Sequence, residues 1–258
     1  MKPLVTVHVL IKNEDRWIWY TLMSVLDYVD KILIYDTGST DRTIDIIKSI
    51  DSPQIILESH PISTRQDLVK LRRDQLERTT TPWFMLLDGD EIWPQANLFK
   101  LLTAASAAPQ DTMAFFTRTR NCVGDVHHYL PESKGHYQIK GITGHLNIRL
   151  IRKVPNLKIT GQYPLEAYTL NGQSLQSIED RIEFVDTWYL HTTHLPRSTQ
   201  PQSETNVIDR LQKRKFWRPS LKIPKSELPE IFWQPRPALV PPPVTNRWLE
   251  LAQSLWSS

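Results

Sequence analysis

Four short apolar runs, each followed by a polar turn and a helical stretch, govern the first 110 residues. Val5-Thr-Val-His-Val-Leu-Ile11, Lys31-Ile-Leu-Ile-Tyr35, Gln54-Ile-Ile-Leu-Glu58 and Pro82-Trp-Phe-Met-Leu-Leu87 read as strands: they are short and rich in β-branched or aromatic residues. Helices are expected over 15–27, from the turn Asp36-Thr-Gly-Ser-Thr40 through residue 50, over 65–79 and over 95–107. Ser39 or Thr40 is placed to cap the second of these, and Asp41 suits its first turn. Strands that alternate with helices pair in parallel through right-handed crossovers, which predicts an α/β fold with a mostly parallel sheet flanked by helices.

In such open sheets the ligand lies outside the carboxyl ends of the strands. Three polar clusters fall at those ends: Lys12-Asn13-Glu14, Asp36-Thr37-Gly38 and Asp88-Gly89-Asp90-Glu91. Their convergence on one rim says more than any one of them. Carboxylates packed together at a strand end repel unless a cation stands between them. Hard oxygen donors suit Mg²⁺ or Mn²⁺, and Mg²⁺ is commonly held by one or two carboxylates plus substrate phosphates. Gly89 would leave room for a ligand to approach the backbone. An Asp-Gly pair is also an ordinary surface turn. Asp36 could accept hydrogen bonds from a base or a ribose.

After residue 110 the alternation stops. Strands are expected over 112–119, 145–152 and 182–190, the last ending in His191-Thr-Thr-His194. Between the first two lies a stretch rich in Gly and His, with His127, His128 and His136, which reads as an irregular, mobile binding loop and not as a metal site. Arg149 could face a pocket or solvent.

The single cysteine, Cys122, excludes an intrachain disulfide and a cysteine zinc cluster and fits a reducing compartment. No apolar run reaches the ~18 residues of a membrane span. The run after Lys2 is short, and Lys12, Glu14 and Asp15 follow it at once, so it reads as a buried strand and not as a leader. Residues 201–258 hold nine Lys and Arg against five Asp and Glu, four of the nine Trp, nine of the 19 Pro and no Gly. This basic extension, with a Pro-rich spacer at 235–243 and a short amphipathic helix from Arg247 to Trp256, could touch an anionic membrane surface or pack onto the body. The near-neutral body argues against a nucleic-acid partner.

Ile11-Lys-Asn-Glu14, Ile34-Tyr-Asp-Thr-Gly-Ser-Thr-Asp-Arg-Thr43 and Trp83-Phe-Met-Leu-Leu-Asp-Gly-Asp-Glu91 together resemble family 2 glycosyltransferases of the GT-A fold, a Rossmann-like sheet, in the branch with a KNE box and D-x-D-E. The resemblance covers roughly residues 4–195. It implies a nucleotide-sugar half at 1–110, an acceptor half at 111–200 and the C-terminal extension at 201–258. It implies a nucleoside-diphosphate sugar donor, UDP-linked in the first instance, and a glycan or lipid-linked acceptor. Asp36 would contact the base, Asp88 and Gly89 would lie near ribose and diphosphate, and Asp90 would ligate Mn²⁺ or Mg²⁺. Arg72, or Arg73 in the alternative register, would face the nucleotide, and Lys12, Asn13 and Glu14 would line the base pocket. A late histidine often completes the metal site, so His191 or His194 is expected there, with Arg197-Ser198 following. Inverting members need a carboxylate base, often a His-Glu pair after a Gly. Here Gly161-Gln-Tyr-Pro-Leu-Glu166 puts Leu165 where that histidine would stand, and Glu166 is the candidate base, with Asp125, Glu132 and Glu179 as rivals. The expected setting is the cytoplasm or the cytoplasmic face of a membrane. The other readings are a non-catalytic nucleotide-sugar or glycan-binding relative and a metal-dependent phosphohydrolase or nucleotidyltransferase.

Overall fold

The structure is a computed structural model and describes residues 4–62, 64, 66–162, 165–200 and 220–245. β1 (Val5–Ile11), α1 (Ile18–Met23), β2 (Lys31–Asp36), α2 (Thr43–Lys48), β3 (Ile55–Ser59), α3 (Gln66–Arg78) and β4 (Trp83–Asp88) form the alternating half. β1 to β4 lie parallel in the order β4-β1-β2-β3. β1 is buried along nearly its whole length, as befits a central strand covered on both faces.

β5 (Glu91–Ile92) and α4 (Gln95–Ala107) lead into the second half. There β6 (Ala114–Val123), β7 (Asp125–Tyr129), β8 (Tyr137–Ile139), β9 (Ile142–Gly144) and β10 (Leu146–Arg152) follow. Next come β11 (Leu157–Thr160), β12 (Ala167–Leu170), β13 (Gln173–Ser174), β14 (Ile182–His191) and β15 (Leu221–Lys222). β10 joins the sheet antiparallel between β4 and β6, while β14 runs parallel to β6 and also pairs with β5. β11, β12 and β13 make a separate small antiparallel sheet.

Apolar side chains fill both faces of the main sheet. One core gathers Trp17, Leu22, Ile46, Leu101 and Tyr189 from the helices and β14 with Val5, Val7 and Val9. Another joins Leu76 of α3 to Phe84, Phe116, Leu157, Leu170 and Leu175, and so roofs the sheet with the small one.

Several sequence expectations need correction. α1 is shorter than 15–27 because residues 15–17 hold the distant segment 196–199 instead of starting a helix. Thr199 N–H donates to Asp15 Oδ1 (2.7 Å), and Trp17 Nε1–H donates to the Pro196 carbonyl (2.7 Å). Neither Ser39 nor Thr40 caps α2. Ser39 Oγ accepts the Asn13 N–H and Asn13 Oδ1 accepts the Thr40 N–H, while Asp41 Oδ1 takes the Thr43 N–H at the helix start (3.0 Å).

The stretch 125–144 is not an irregular loop. It holds β7, a 3₁₀ turn at Glu132–Lys134 and the β8–β9 hairpin, closed at Lys140-Gly141. Nor is 235–243 a free spacer. The Tyr20 hydroxyl donates to the Pro241 carbonyl (2.8 Å), Val240 is buried, and Ile223, Leu228, Ile231, Phe232 and Val244 join the first core. The basic run at 213–218 and the helix expected at 247–256 lie outside the described residues.

Candidate active site

Strand register aligns the polar turns. Leu10 of β1 stands opposite Asp88 of β4, and Ile11 stands opposite Asp36 of β2, so all three turns leave the sheet at one edge. A cavity of about 500 Å³ opens beside the β1 and β4 ends of that edge, roofed by β12 and the turn after β13. Glu14, Arg72, Asp88, Gly89, Asp90, Glu166 and His191 line it. Lys12, Asn13, Asp36, Arg73 and His194 are not among its lining residues.

Two of those outliers hold the turn together. Asn13 has φ +56°, a conformation Asn tolerates better than most side chains, and its amide oxygen ties Thr40. The Asp36 carboxylate accepts the N–H groups of Gly38 and Ser39 at 3.1–3.2 Å. Gly89 matters for packing at its own Cα: a Cβ there would stand 2.7 Å from Glu14 Cγ and 3.1 Å from Ile11 Cγ2. The space on its Cβ side is filled by Glu14 and Ile11.

The charges alternate across the cavity. Arg149 Nη2 reaches Asp88 Oδ2 (3.3 Å) and also binds the fully buried Glu91. Arg72 Nη2 lies 3.5 Å from Asp88 Oδ1. The surrounding protein disfavours charge on Asp88, yet Arg149 and then Arg72 outweigh it and hold this carboxyl below its ordinary range. Burial dominates at Glu91 and pushes it up to about 7, against the pull of Arg149. Arg197 bridges Glu14 (2.7 Å) and Asp90 (3.7 Å). His191 Nε2 lies 3.3 Å from Asp90 Oδ1. Burial works against its charge, but Asp90 prevails and raises the imidazole above its usual value.

Among the described residues no group of three or more His, Cys, Asp or Glu is arranged to hold a metal by itself. What the cavity offers is Asp90, 1% exposed, with His191 beside it. One hard oxygen ligand and one imidazole, completed by ligand phosphate oxygens, fit a Mg²⁺- or Mn²⁺-diphosphate group. His194 is buried outside this pair.

Glu166 Oε2 is buried and has no hydrogen-bond partner among the described residues. The three rival carboxylates are engaged elsewhere: Asp125 with His128 (2.7 Å), Glu132 with Arg118 (3.1 Å), and Glu179 with the Lys140 N–H (2.8 Å). Sequence reasoning left Arg149 open and passed over Tyr168. Tyr168 is two residues from Glu166 along an extended segment and therefore on the same face. That spacing was a usable signal once β12 was recognised.

A parallel first half, an acidic turn after its fourth strand and a mixed second half define a GT-A-type fold. The chain belongs to glycosyl transferase family 2, whose model matches residues 6–159. Over 134 residues it is 30% identical to the SPbeta prophage-derived glycosyltransferase SunS of Bacillus subtilis (strain 168). That match spans 52% of this chain and 29% of SunS, and the SunS of Bacillus phage SPbeta gives the same figures. The match thus spans less than a third of the length of these relatives. Among solved structures, a mycobacterial protein shares the fold at TM-score 0.50 and 14% identity, over 84% of this chain and 76% of that one. Glucosyl-3-phosphoglycerate synthase from Mycobacterium tuberculosis, in complex with Mn²⁺, UDP and glucosyl-3-phosphoglycerate, aligns at TM-score 0.46 and 15% identity over 86% and 88% of the chains.

Proposed function

We propose that this chain transfers a sugar from a nucleoside-diphosphate donor to a hydroxyl of a glycan or lipid-linked acceptor, with inversion at the sugar carbon. The observation that supports the reading is that Asp88, Asp90, His191 and Glu166 all line one cavity. Asp90 and His191 would hold Mn²⁺ or Mg²⁺ on the diphosphate. When bound, that ion supplies positive charge against the charge developing on the leaving group. Arg72 and Arg149 place two further cations beside Asp88.

In the transfer the bond between the sugar carbon and the diphosphate oxygen breaks. A new bond to the acceptor oxygen forms from the opposite face. The acceptor proton passes to Glu166, whose buried, unpartnered oxygen is suited to take it. Residues 1–200 are assigned to the catalytic unit and 201–258 to the extension, of which 220–245 is fastened to the core. No helix among the described residues is long and apolar enough to cross a membrane. A lipid-linked acceptor would therefore meet the protein at a surface, and the composition of 213–218 and 247–256 favours an anionic one.

The test is the melting temperature with UDP-, GDP-, dTDP- and CMP-linked compounds, each with and without Mn²⁺. A ligand that binds the native state raises it by mass action. A Mn²⁺-dependent rise with one nucleoside diphosphate is expected and would name the donor base. Binding without turnover of any sugar nucleotide would point to a non-catalytic relative, and no response to any compound would overturn the donor site.

A further inference from the structure

Buried polar atoms in folded proteins are almost all hydrogen-bonded. Three residues lining the same cavity each carry a buried polar atom with no hydrogen-bond partner among the described residues: Tyr168 Oη, Arg72 Nη1 and Glu166 Oε2. They are also close enough to feel one another. The Tyr168 phenol is pushed up to about 12, chiefly by burial, with Arg72 and Glu166 acting on it in opposite senses. It therefore keeps its proton at neutral pH and is a donor as well as an acceptor.

The corner is chemically selective. Arg72 can only donate, ionised Glu166 can only accept, and the phenol can do both. Below them the wall is apolar, made by Leu86, Ile151, Ile159 and Leu175. A ligand matching this corner has an oxygen able to accept and donate at once, on a body with an apolar face. A pyranose ring has both: hydroxyls at its edge and C–H groups on its face. A flat nucleobase or a phosphate offers no such hydroxyl. The ring of Tyr168 is itself fixed, with its centroid 5.2 Å from that of Phe84, so its hydroxyl is preplaced.

We infer that Tyr168 Oη donates to a hydroxyl of the transferred sugar and makes Tyr168 a specificity-determining residue for the donor. The inference rests on the donor reading above. Arg72 lies near both Asp88 and Tyr168, with Nη2 3.5 Å from Asp88 Oδ1 and its charge acting on the Tyr168 phenol. The sugar then lies between the diphosphate end and Glu166, within reach of the acceptor.

Tyr168→Phe keeps the ring and removes only the hydroxyl. The unliganded variant is expected to melt no lower than the wild type, because the lost group has no partner among the described residues. A hydroxyl with a structural role would lower it. Affinities of both proteins are then measured by calorimetry with Mn²⁺ for UDP and GDP, and for UDP-glucose, UDP-GlcNAc and GDP-mannose. The expected result is unchanged nucleoside-diphosphate binding and about tenfold weaker binding of the sugar nucleotide that the wild type prefers. Equal weakening of both classes, or of neither, overturns the inference and leaves the donor reading standing. If the wild type binds none of the five and no dTDP- or CMP-linked compound either, the donor reading falls and the inference falls with it.

Discussion

Arg149 of β10 lies 3.3 Å from Asp88 Oδ2 at the end of β4, and the same nitrogen binds the buried carboxylate of Glu91. One guanidinium thus fixes the angle between the strand that ends in acids and the turn that carries them. Arg149→Met would leave Glu91, which is wholly buried, without its cation. Removing one partner of a buried pair costs roughly 3–5 kcal/mol, far more than the pair itself contributes. The double variant Arg149→Met/Glu91→Gln should recover much of that loss. Urea unfolding at pH 7 checks it, and a double variant no more stable than the single one would show that Arg149 acts through packing instead.

Asp90→Asn should leave the fold nearly intact and remove the response to Mn²⁺. The side chain keeps its size and the backbone link, in which the Thr192 N–H donates to the Asp90 carbonyl (2.9 Å), is kept, while the charge facing His191 and Arg197 is removed. The expected readout is a melting temperature within a few degrees of wild type, no Mn²⁺-dependent rise with nucleoside diphosphate, and turnover reduced by roughly a hundredfold or more. Full Mn²⁺ dependence in this variant would move the metal elsewhere.

Glu166→Gln should separate chemistry from binding. Loss of a general base typically costs about 10²–10⁴ in rate. In the proposed reading the nucleoside diphosphate is held by Asp90 and His191 and not by Glu166, so its affinity should not change. Rates with excess acceptor, measured beside donor binding, give both numbers, and a variant with wild-type turnover would return the role to another group.

His8 provides a pH signature that is independent of the site's chemistry. Its Nε2 is 2.6 Å from Thr79 Oγ1, and its ring stacks on Phe84. Burial, aided by Arg72 and Lys153, holds its pKa well below 6.5. The folded imidazole stays neutral while the unfolded one takes a proton below about 6.5, so the unfolded chain binds more protons as pH falls. This contribution is fully present above that value and is lost below it, by at most ~1.4 kcal/mol per pH unit. Urea midpoints between pH 8 and pH 5 should fall more steeply in the wild type than in His8→Phe. Parallel slopes would mean that His8 titrates alike in both states.

The parallel half was legible because its signals are local. β-branched runs at β1 and β2 and the acids after β4 needed no knowledge of the rest of the chain. Side-chain employment was less legible. Asp36 looks like a ligand-binding acid in sequence, and nothing there signals that its carboxylate also accepts two neighbouring N–H groups. Arg197 meets Glu14 across 183 positions, a contact no spacing rule anticipates. The small sheet could have been found. Asn171-Gly172 is the strongest short-range hairpin signal, and it sits between β12 and β13, where it closes Leu170 against Gln173. Overlooking it hid the face shared by Glu166 and Tyr168.

That turn can be tested without touching the cavity. Asn171 and Gly172 have φ of +50° and +85°, which is the paired positive φ of a type I′ turn. A Cβ on Gly172 would meet nothing within 4 Å, so any cost of a side chain there is backbone strain and not a clash. Gly172→Ala should therefore destabilise by about 1 kcal/mol, and Gly172→Asn by less, since Asn enters the left-handed region more readily. If β12 places Glu166 and Tyr168 through this turn, the alanine variant should also weaken sugar-nucleotide binding relative to nucleoside diphosphate. Equal stability of the two variants would argue that the turn relaxes to another form, and unchanged binding in both would show that β11 alone holds β12 in place.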